Sequence, residues 1–252
     1  MANIEKNLTG KVALVSGGSR GIGAATALAL GARGASVAIT YASSADKALA
    51  VVSELEGLGV RAAAFKVDQA VTAQAPTLVR QVVERFGRLD ILVNNAGVVA
   101  LAAVDDGNAD LGALDRQLAV NLIGVAALVR AAAPVLGAGA RIVSVSSTVG
   151  RRVPFAGMSD YAAGKAALIA YTKGWARDLG AKGITVNAVA PGPIDTDMNP
   201  ANGPYGDYVK GATALGRYGN ASEVASVIAF LASPEASYVT GVTLEVDGGQ
   251  SA

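Results

Sequence analysis

A tyrosine and a lysine stand four residues apart in the stretch SDYAAGKAAL, residues 159–168. On a helix, this spacing places Tyr161 and Lys165 one turn apart on the same face. A nearby ammonium group favours the phenolate form, so we expect Lys165 to lower the pKa of Tyr161 from its ordinary value of about 10. Chance produces such a pair in about one chain in five of this composition, so the remaining sequence must decide whether the pair is chemical.

Histidine and cysteine are both absent from the 252 residues. Their absence excludes disulfides, thiol nucleophiles and imidazole bases, and it removes the usual zinc ligands, so we expect no metal site. Acid–base chemistry is left to Tyr, Lys, Asp, Glu or water. A phenol keeps its proton at neutral pH and can give it to a developing alkoxide, whereas it would serve poorly as a base. The pair therefore suits the role of a proton donor.

The bulk composition is that of one large domain. A chain of this length can bury a sizeable core, and we predict a single domain over residues 1–252. The net charge of +1 gives no electrostatic reason to expect a nucleic-acid or anionic-membrane partner. The most apolar stretch is interrupted by Asn121, Arg130 and Pro134, so no membrane-spanning segment is expected. The first residues contain no apolar signal region, which predicts a cytoplasmic location.

Apolar, β-branched runs alternate with helical patterns along the whole chain. Nearly continuous apolar character is typical of parallel strands that are covered on both faces. The predicted strands are 11–16, 36–41, 63–67, 90–95, 141–146, 184–189 and 243–247, and the predicted helices are 22–33, 45–57, 73–86, 111–136, 160–180 and 222–232. This alternation predicts an α/β fold, a doubly wound sheet of about seven parallel strands flanked by helices, with ligands bound at the carboxyl ends of the strands.

The first predicted strand leads into SGGSRGIG, in which Gly17, Gly21 and Gly23 form a G-x-x-x-G-x-G arrangement that opens a helix. Glycines at these positions let the backbone approach a pyrophosphate, which then lies on the N-terminus of the helix. The place of the loop in a βαβ unit favours this interpretation over a tight turn without a ligand. The other predicted cofactor contacts from this loop are Ser19, Arg20 and Ile22.

The end of the second predicted strand indicates which dinucleotide is bound. NAD-preferring sites usually carry an acidic residue there, which holds the ribose hydroxyls. This chain has Tyr41, Ser43 and Ser44 instead, with no carboxylate before Asp46. The missing acid removes the repulsion of a 2′-phosphate, and Arg20 could bind one together with the two serine hydroxyls, although a merely solvated Arg20 is the alternative. We therefore predict NADP(H).

Other strand ends supply further candidates for contacts with the same dinucleotide. Asp68 ends the third strand, where it could meet the adenine amino group. The motif NNAG, residues 94–97, ends the fourth strand and suits the adenine ribose, and PGPIDT, residues 191–196, ends the sixth strand beside the nicotinamide. The predicted contacts from these two motifs are Asn95, Ala96, Gly97, Pro191, Gly192, Ile194 and Thr196.

Taken together, these motifs resemble the short-chain dehydrogenase/reductase family over nearly the whole chain. They are SGGSRGIG, NNAG, VNLIG, SVSS, YAAGK, PGPIDT and the closing VTGVTLEVDGG, in that order. The resemblance implies a Rossmann-type fold of about seven parallel strands, a nicotinamide cofactor and a homotetramer. The most similar members are carbonyl reductases of the 3-oxoacyl-carrier-protein-reductase type, and PGPIDTDMNPANGP is also similar to a branch named for binding cyclic di-GMP.

The resemblance further implies a catalytic set of Asn, Ser, Tyr and Lys. Asn121 in VNLIG matches the asparagine, which would anchor a water that relays protons to the lysine. Tyr161 and Lys165 match the YxxxK motif, with Tyr161 as proton donor. Lys165 would also hold the nicotinamide ribose.

Three serines compete for the remaining catalytic position, namely Ser144, Ser146 and Ser147. Alignment on the following Val-Gly pair selects Ser147, which lies one residue further from Tyr161 than is usual in the family. The Ser147 hydroxyl would donate a hydrogen bond to the substrate carbonyl oxygen, like one arm of an oxyanion hole.

The substrate side of the site is defined less sharply. We predict a substrate lid near residues 193–218, which are rich in Gly, Pro, Asn and Asp, with an ordinary surface loop as the alternative. Asp195 and Asp197 are interpreted as turn residues rather than as a metal pair. Arg151 and Arg152 could meet an anionic substrate or a carrier protein, or be solvated. The predicted pocket residues are Ser147, Val149, Met158, Pro193 and Tyr205.

Two hypotheses about function follow. The first is an NADPH-dependent oxidoreductase that reversibly reduces a ketone, either a β-oxoacyl thioester or a small prochiral ketone, to a secondary alcohol. The second is a binding protein that uses the same fold for a cyclic di-GMP-type signal, with little or no catalysis. The four matched residues favour the enzyme, because a pure binder has no chemical need of all four. The predicted partners are therefore a small-molecule substrate and further copies of the chain, with no nucleic acid and no membrane.

Overall fold

Seven parallel strands form one sheet in the computed structural model, which describes residues 6–203 and 206–252. Their order across the sheet is β3-β2-β1-β4-β5-β6-β9, and two further strands, β7 and β8, form a small parallel pair outside it. The bounds are β1 Val12–Val15, β2 Ser36–Tyr41, β3 Ala62–Lys66, β4 Ile91–Asn94, β5 Arg141–Val145, β6 Thr185–Pro191, β7 Ile194–Asp195, β8 Gly219–Asn220 and β9 Thr243–Val246. The predicted doubly wound sheet of seven parallel strands is confirmed.

Helices cover both faces of the sheet. One layer contains α1, α2 and α8, and the other contains α3, α5 and α6. The bounds are α1 Gly21–Ala32, α2 Ala45–Gly57, α3 Gln74–Phe86, α4 Leu111–Leu118, α5 Gly124–Ala132, α6 Ser159–Gly180, α7 Gly206–Gly211 and α8 Ala221–Leu231. The two layers explain why the central strands β1, β4 and β5 are buried at every position rather than at alternate ones.

The first strand shows how one short run serves two cores. Successive side chains on a strand point to opposite faces of the sheet. Ala13 and Val15 accordingly pack in the layer of α1, α2 and α8, whereas Val12 and Leu14 pack in the layer of α3, α5 and α6. All four are at most 4% exposed, so neither face of β1 meets solvent.

The strand order reverses between β1 and β4. From β1 the chain builds outward through β2 and β3, and it then returns to place β4 on the other side of β1. In doubly wound sheets, this reversal opens a crevice at the carboxyl ends of the two central strands, where ligands bind. The glycine loop follows β1, and the NNAG motif follows β4, so both motifs lie at this crevice.

The predicted helix 111–136 is interrupted. It consists of α4, a π-helical turn at Ala119–Ile123 and α5, which ends at Ala132 shortly before Pro134. A Cβ atom on Gly124 would lie 2.1 Å from the carbonyl oxygen of Gln69, so the close approach of α5 to the end of β3 requires glycine there. π-Helical turns are often found at functional sites, and this one carries Asn121.

The stretch Leu111–Ala132 is 22 residues long and apolar enough to cross a membrane by length and composition alone. The sequence predicts no membrane-spanning segment, and a single helix of this kind is weak evidence against that prediction. A core helix passes the same test, and α5 packs with α3 in the second core layer. We assign Leu111–Ala132 to the core.

The proposed lid segment leaves the sheet after β6. Residues 193–218 contain β7 and the short helix α7, and β7 pairs with β8, which follows directly, through Ile194 and Gly219. A turn between Thr196 and Asn199 follows β7, and Leu215 donates a backbone hydrogen bond to Gly248 near the C-terminus. The segment thus crosses the carboxyl edge of the sheet, supported by the chain's last residues.

Candidate active site

Tyr161 and Lys165 lie one turn apart at the beginning of α6, as their spacing predicts. The Nζ atom of Lys165 is 5.7 Å from the centroid of the Tyr161 ring. Lys165 is buried, and its ammonium donates a hydrogen bond of 2.9 Å to the carbonyl oxygen of Val145, the last residue of β5. Burial lowers the pKa of Lys165 to about 8, because removal from water disfavours the charged form.

The pKa of Tyr161 shifts opposite to the sequence expectation. Burial raises the pKa of the phenol, and a hydrogen bond with the Ser147 side chain acts in the lowering direction without overcoming burial. Burial outweighs any effect of Lys165, whose ammonium lies 5.7 Å from the ring centroid and is hydrogen-bonded to Val145. The predicted lowering is therefore wrong. Tyr161 keeps its proton over a wider range of pH, which suits a proton donor.

The three candidate serines have different surroundings. Ser144 accepts a hydrogen bond from Asn94, and Ser146 donates one of 2.8 Å to the backbone oxygen of Lys165. Both are buried within the sheet or against α6. Ser147 instead begins a short 3₁₀ turn, Thr148–Gly150, and its hydroxyl contacts Tyr161. Of the three, Ser147 is therefore the serine at the phenol.

Asn121 lies on the π-helical turn, and both ends of its side-chain amide are bonded to the backbone of Val98. The Oδ1 atom accepts from the Val98 nitrogen at 2.9 Å, and the Nδ2 atom donates to the Val98 oxygen at 2.8 Å. A Cβ atom on Gly97 would lie 3.4 Å from Asn121 Oδ1 and 3.9 Å from Lys165 Nζ, so Gly97 brings these two groups together. The amide thus holds the backbone at Val98, in the segment that follows β4. That Asn121 also anchors a water stays a prediction.

Gln117 adds a second clamp that the sequence reasoning missed. It is buried one turn before Asn121, and its Oε1 atom accepts a hydrogen bond of 2.7 Å from the nitrogen of Ala100. The signal was available, because two carboxamide residues four positions apart share one helix face. Together they hold residues 98–100 at the edge of the site.

The glycine loop has the geometry of a phosphate cradle. Gly17 and Gly21 have φ angles of +64° and +54°, which side chains rarely adopt. A Cβ atom on Gly23 would lie 2.2 Å from the carbonyl oxygen of Gly17 and 2.4 Å from Asn95 Nδ2. No side chain caps the N-terminus of α1 at Arg20, and its first turn contains no acidic residue. These features fit a bound pyrophosphate, because the N–H groups of the first turn can face an anion.

The NNAG motif is locked to the glycine loop. The hydroxyl of Ser16 accepts hydrogen bonds from the backbone nitrogens of Asn95 and Ala96 at 3.1 and 3.0 Å. The Asn95 amide donates to the carbonyl oxygens of Ser16 and Gly17, each at 3.0 Å. The ends of β1 and β4 are therefore joined where the predicted cofactor residues meet.

The adenosine end contains charged residues that the sequence reasoning did not select. Asp68 follows β3, and Arg116 on α4 pairs with it through two contacts of 3.2 Å, which lowers the pKa of Asp68. Lys47 stands on the first turn of α2, just after Ser44, and its Nζ atom is 2.8 Å from Asp197 Oδ2. Arg116 and Lys47 were missed because their partners are distant in sequence.

The chain after β6 carries the residues predicted to contact the nicotinamide. A Cβ atom on Gly192 would lie 2.6 Å from Asp247 Cβ, so the chain passes tightly against the C-terminal segment. Pro191 and Ile194 are buried, and the side chain of Thr196 faces Gly21 of the glycine loop. The predicted contacts from PGPIDT thus lie where the chain leaves β6 and passes beside the glycine loop.

On the substrate side, Met158 and Pro193 are buried, and Val149 is partly buried in the turn after Ser147. Tyr205 lies outside the described residues. Arg151 forms an ion pair of 2.8 Å with Glu245, which favours a structural role over contact with an anionic substrate. Asp195 accepts a hydrogen bond of 2.9 Å from the Ala201 nitrogen, as expected of a turn residue. Within residues 6–203 and 206–252, no group of three or more acidic side chains could hold a metal ion.

Comparisons with known proteins agree with this geometry. Residues 17–251 match a family model described as enoyl-(acyl carrier protein) reductase. The chain is 42% identical, over 95% of its length and 97% of the relative, to the cyclic-di-GMP-binding biofilm dispersal mediator protein of Escherichia coli K12. It is 40% identical, over 95% of its length and 97% of the relative, to a 3-oxoacyl-(acyl-carrier-protein) reductase of Staphylococcus aureus Mu50.

A solved structure is similar over almost the whole fold. It is a short-chain dehydrogenase from Burkholderia cenocepacia J2315, crystallised in complex with NADP. The identity is 52% and the TM-score 0.95, with 98% of this chain and 100% of that chain covered.

Proposed function

Because the chain belongs to the short-chain dehydrogenase/reductase family, we propose that it is an NADP(H)-dependent carbonyl reductase that interconverts a ketone and a secondary alcohol. The observation that carries this proposal is the meeting of Ser147, Tyr161 and Lys165 beside the glycine cradle, in a chain without histidine or cysteine. The substrate is a β-oxoacyl thioester or a small prochiral ketone.

The bound nicotinamide would supply the hydride to the carbonyl carbon. Ser147 would donate a hydrogen bond to the carbonyl oxygen, where negative charge develops. Tyr161 would then give its phenolic proton to that oxygen, and its raised pKa keeps the proton available for the step. Lys165, with a pKa of about 8, exchanges protons readily near neutral pH and can restore the phenol. In this role Asn121 positions the 97–98 segment beside Lys165.

The preference for NADP(H) rests on the groups at the end of β2. Tyr41, Ser43 and Ser44 stand where an acid would select NAD, and Arg20 supplies a cation. The Burkholderia neighbour, which is in complex with NADP, supports the same cofactor for this chain. Asp68, held ionised by Arg116, would accept a hydrogen bond from the adenine amino group.

The second candidate is a nucleotide-signal binder, favoured by the 42% identity to the cyclic-di-GMP-binding relative. A binder of this kind would use the same crevice without needing a proton donor. Absorbance at 340 nm, followed with NADPH and a panel of aliphatic ketones, aryl ketones and β-oxoacyl thioesters, distinguishes the two. Oxidation of NADPH that depends on one ketone class supports the reductase. No turnover on any ketone, combined with tight binding of cyclic di-GMP by calorimetry, supports the binder.

We also propose that the chain forms a homotetramer and that it is located in the cytoplasm. A groove of about 740 Å³ lies between α5 and α6, and the stacked rings of Tyr171 and Trp175, 4.5 Å apart, line it. Such an apolar groove supports self-association through these helices. Light scattering on the purified protein gives the oligomeric mass directly.

A further inference from the structure

One carboxylate joins two cations that belong to different parts of the proposed cofactor site. The Oδ2 atom of Asp197 lies 2.8 Å from Lys47 Nζ and 3.8 Å from an Arg20 guanidinium nitrogen. Arg20 precedes α1 in the glycine loop, Lys47 stands on the first turn of α2, and Asp197 follows β7 in the lid segment. The contact therefore ties the lid segment to both sides of the adenosine end.

A second contact supports the same path of the chain. The side chain of Thr196, the residue before Asp197, lies beside Gly21, where a Cβ atom would be in van der Waals contact with the Thr196 methyl carbon at 3.4 Å. Residues 196–197 thus cross the glycine loop before the chain turns back at Asn199. We call residues 196–203 the strap.

The ion pairs that hold the strap are easily broken. Arg20, Lys47 and Asp197 have side chains that are 57%, 56% and 56% exposed. Half-exposed ion pairs are weak and are screened by salt. Lys47 and, less strongly, Arg20 lower the pKa of Asp197, so its charge persists at neutral pH. A phosphate, which carries more charge and more acceptor oxygens, binds such cations better than one carboxylate does.

We propose that Asp197 competes with the ribose 2′-phosphate of the cofactor for Arg20 and Lys47. Lys47 is then the second cation of the 2′-phosphate site, and Asp197 is a specificity-determining residue that weakens binding of every ligand with that phosphate. The inference rests on the proposed NADP(H)-binding function. Because coupling between two sites is reciprocal, a 2′-phosphate ligand also releases the strap.

Two small ligands isolate the effect from catalysis. Adenosine 2′,5′-bisphosphate carries the 2′-phosphate, whereas adenosine 5′-monophosphate lacks it. Isothermal titration calorimetry is run on the full chain and on the variants Asp197→Asn, Lys47→Gln and Asp207→Asn. Asp207 is a matched control, because it lies in the same lid segment and pairs only with nearby Lys210 among the described contacts.

We expect Asp197→Asn to bind the bisphosphate about three- to tenfold more tightly, and Lys47→Gln to bind it about tenfold more weakly. Affinity for the monophosphate should change less than about twofold in both. Weaker or unchanged bisphosphate binding by Asp197→Asn overturns the proposal, and so does an equal effect on both ligands. If neither ligand binds the wild-type chain, the proposal falls together with the cofactor assignment.

Hydrogen exchange of the strap gives an independent readout. The amides of Asn199, Ala201 and Gly203 are hydrogen-bonded within residues 195–203. Saturating bisphosphate should accelerate their exchange, whereas the monophosphate should leave it unchanged. Slower exchange with the bisphosphate would mean that the phosphate and Asp197 bind the cations together, which contradicts competition.

Discussion

The ammonium of Lys165 donates a 2.9 Å hydrogen bond to the carbonyl oxygen of Val145, the last residue of β5. This bond anchors the beginning of α6 to the carboxyl edge of the sheet, where the strand ends converge. It also holds a charged group where water is excluded, which lowers its pKa to about 8. The same residue is thus a cost to folding and a source of protons at the site.

The burial of Lys165 predicts a stabilising substitution. The gap between the ordinary pKa of 10.5 and about 8 corresponds to about 3 kcal/mol. A substitution that removes the lysine also removes its hydrogen bond to Val145, which offsets about 1 kcal/mol of that gain in stability. Lys165→Met should therefore raise the free energy of unfolding at pH 7 by about 2 kcal/mol, measured by urea denaturation, while abolishing ketone reduction.

The stabilisation by Lys165→Met should decrease as the pH rises. Between pH 8 and 10.5 the unfolded chain binds more protons than the folded chain, so wild-type stability rises with pH across this window. The advantage of Lys165→Met should consequently shrink from pH 7 to pH 10. Lys173→Met, which removes an exposed lysine from the same helix, controls for charge alone. A Lys165→Met protein that is less stable than wild type at pH 7 contradicts the burial cost.

The opposite pKa shifts of the pair predict the alkaline limb of activity. Lys165 loses its proton near pH 8, whereas burial raises the pKa of Tyr161 above its ordinary 10.0. We expect kcat/KM for ketone reduction to fall as pH rises through about 8, because the phenol is then no longer supplied with protons. Initial rates between pH 6 and pH 10 measure the limb. If the rate stays constant up to pH 10, Lys165 does not supply the proton that restores the phenol.

Gly23 is predicted to be intolerant of a side chain. A Cβ atom there would meet Gly17 oxygen at 2.2 Å, and that oxygen belongs to backbone that cannot move without disturbing the cradle. Gly23→Ala should cost about 1–3 kcal/mol in the free energy of unfolding and weaken NADPH binding at least about tenfold. Gly57 has open space around it, so Gly57→Ala serves as the control. This substitution should raise the free energy of unfolding by up to about 1 kcal/mol, measured by urea denaturation. Normal NADPH binding by Gly23→Ala would show that the cradle does not hold the phosphates.

Arg20 is predicted to select the phosphorylated cofactor. Arg20→Ala should raise KM for NADPH about tenfold and change KM for NADH less than about twofold, because only NADPH carries the 2′-phosphate. Arg80→Ala, an exposed arginine on α3 that pairs with Glu84, should leave both constants unchanged. Equal effects of Arg20→Ala on the two cofactors would remove Arg20 from the 2′-phosphate site.

Much of the fold could be predicted from local patterns. The runs at β1 and β5 are buried at every position because both faces of the sheet are covered, and their mostly apolar residues therefore indicated parallel strands. The glycine loop was recognisable because its requirements are local backbone conformations. The π-helical turn at Ala119–Ile123 was not recognisable, because the helical pattern runs through it without a break in composition.

In the candidate site, too, local features could be predicted from the sequence, and features that depend on burial or on distant residues could not. Ser147 could be selected by alignment, and the structure places its hydroxyl at Tyr161. The direction of the Tyr161 pKa could not be predicted, because spacing on a helix says nothing of burial or of the bond between Lys165 and Val145. Lys47 escaped notice for a similar reason, since its partner Asp197 lies 150 residues away.

The most direct measurement compares Tyr161→Phe with wild type, using NADPH and the best ketone substrate. Removal of the phenolic hydroxyl deletes the proton donor and leaves the cradle intact, so kcat should fall about a thousandfold while the affinity for NADPH stays within about twofold. Tyr171→Phe, ten residues further along α6 and stacked on Trp175, should keep wild-type kcat. Turnover by Tyr161→Phe at the wild-type rate would contradict the proposal that Tyr161 donates the proton in ketone reduction.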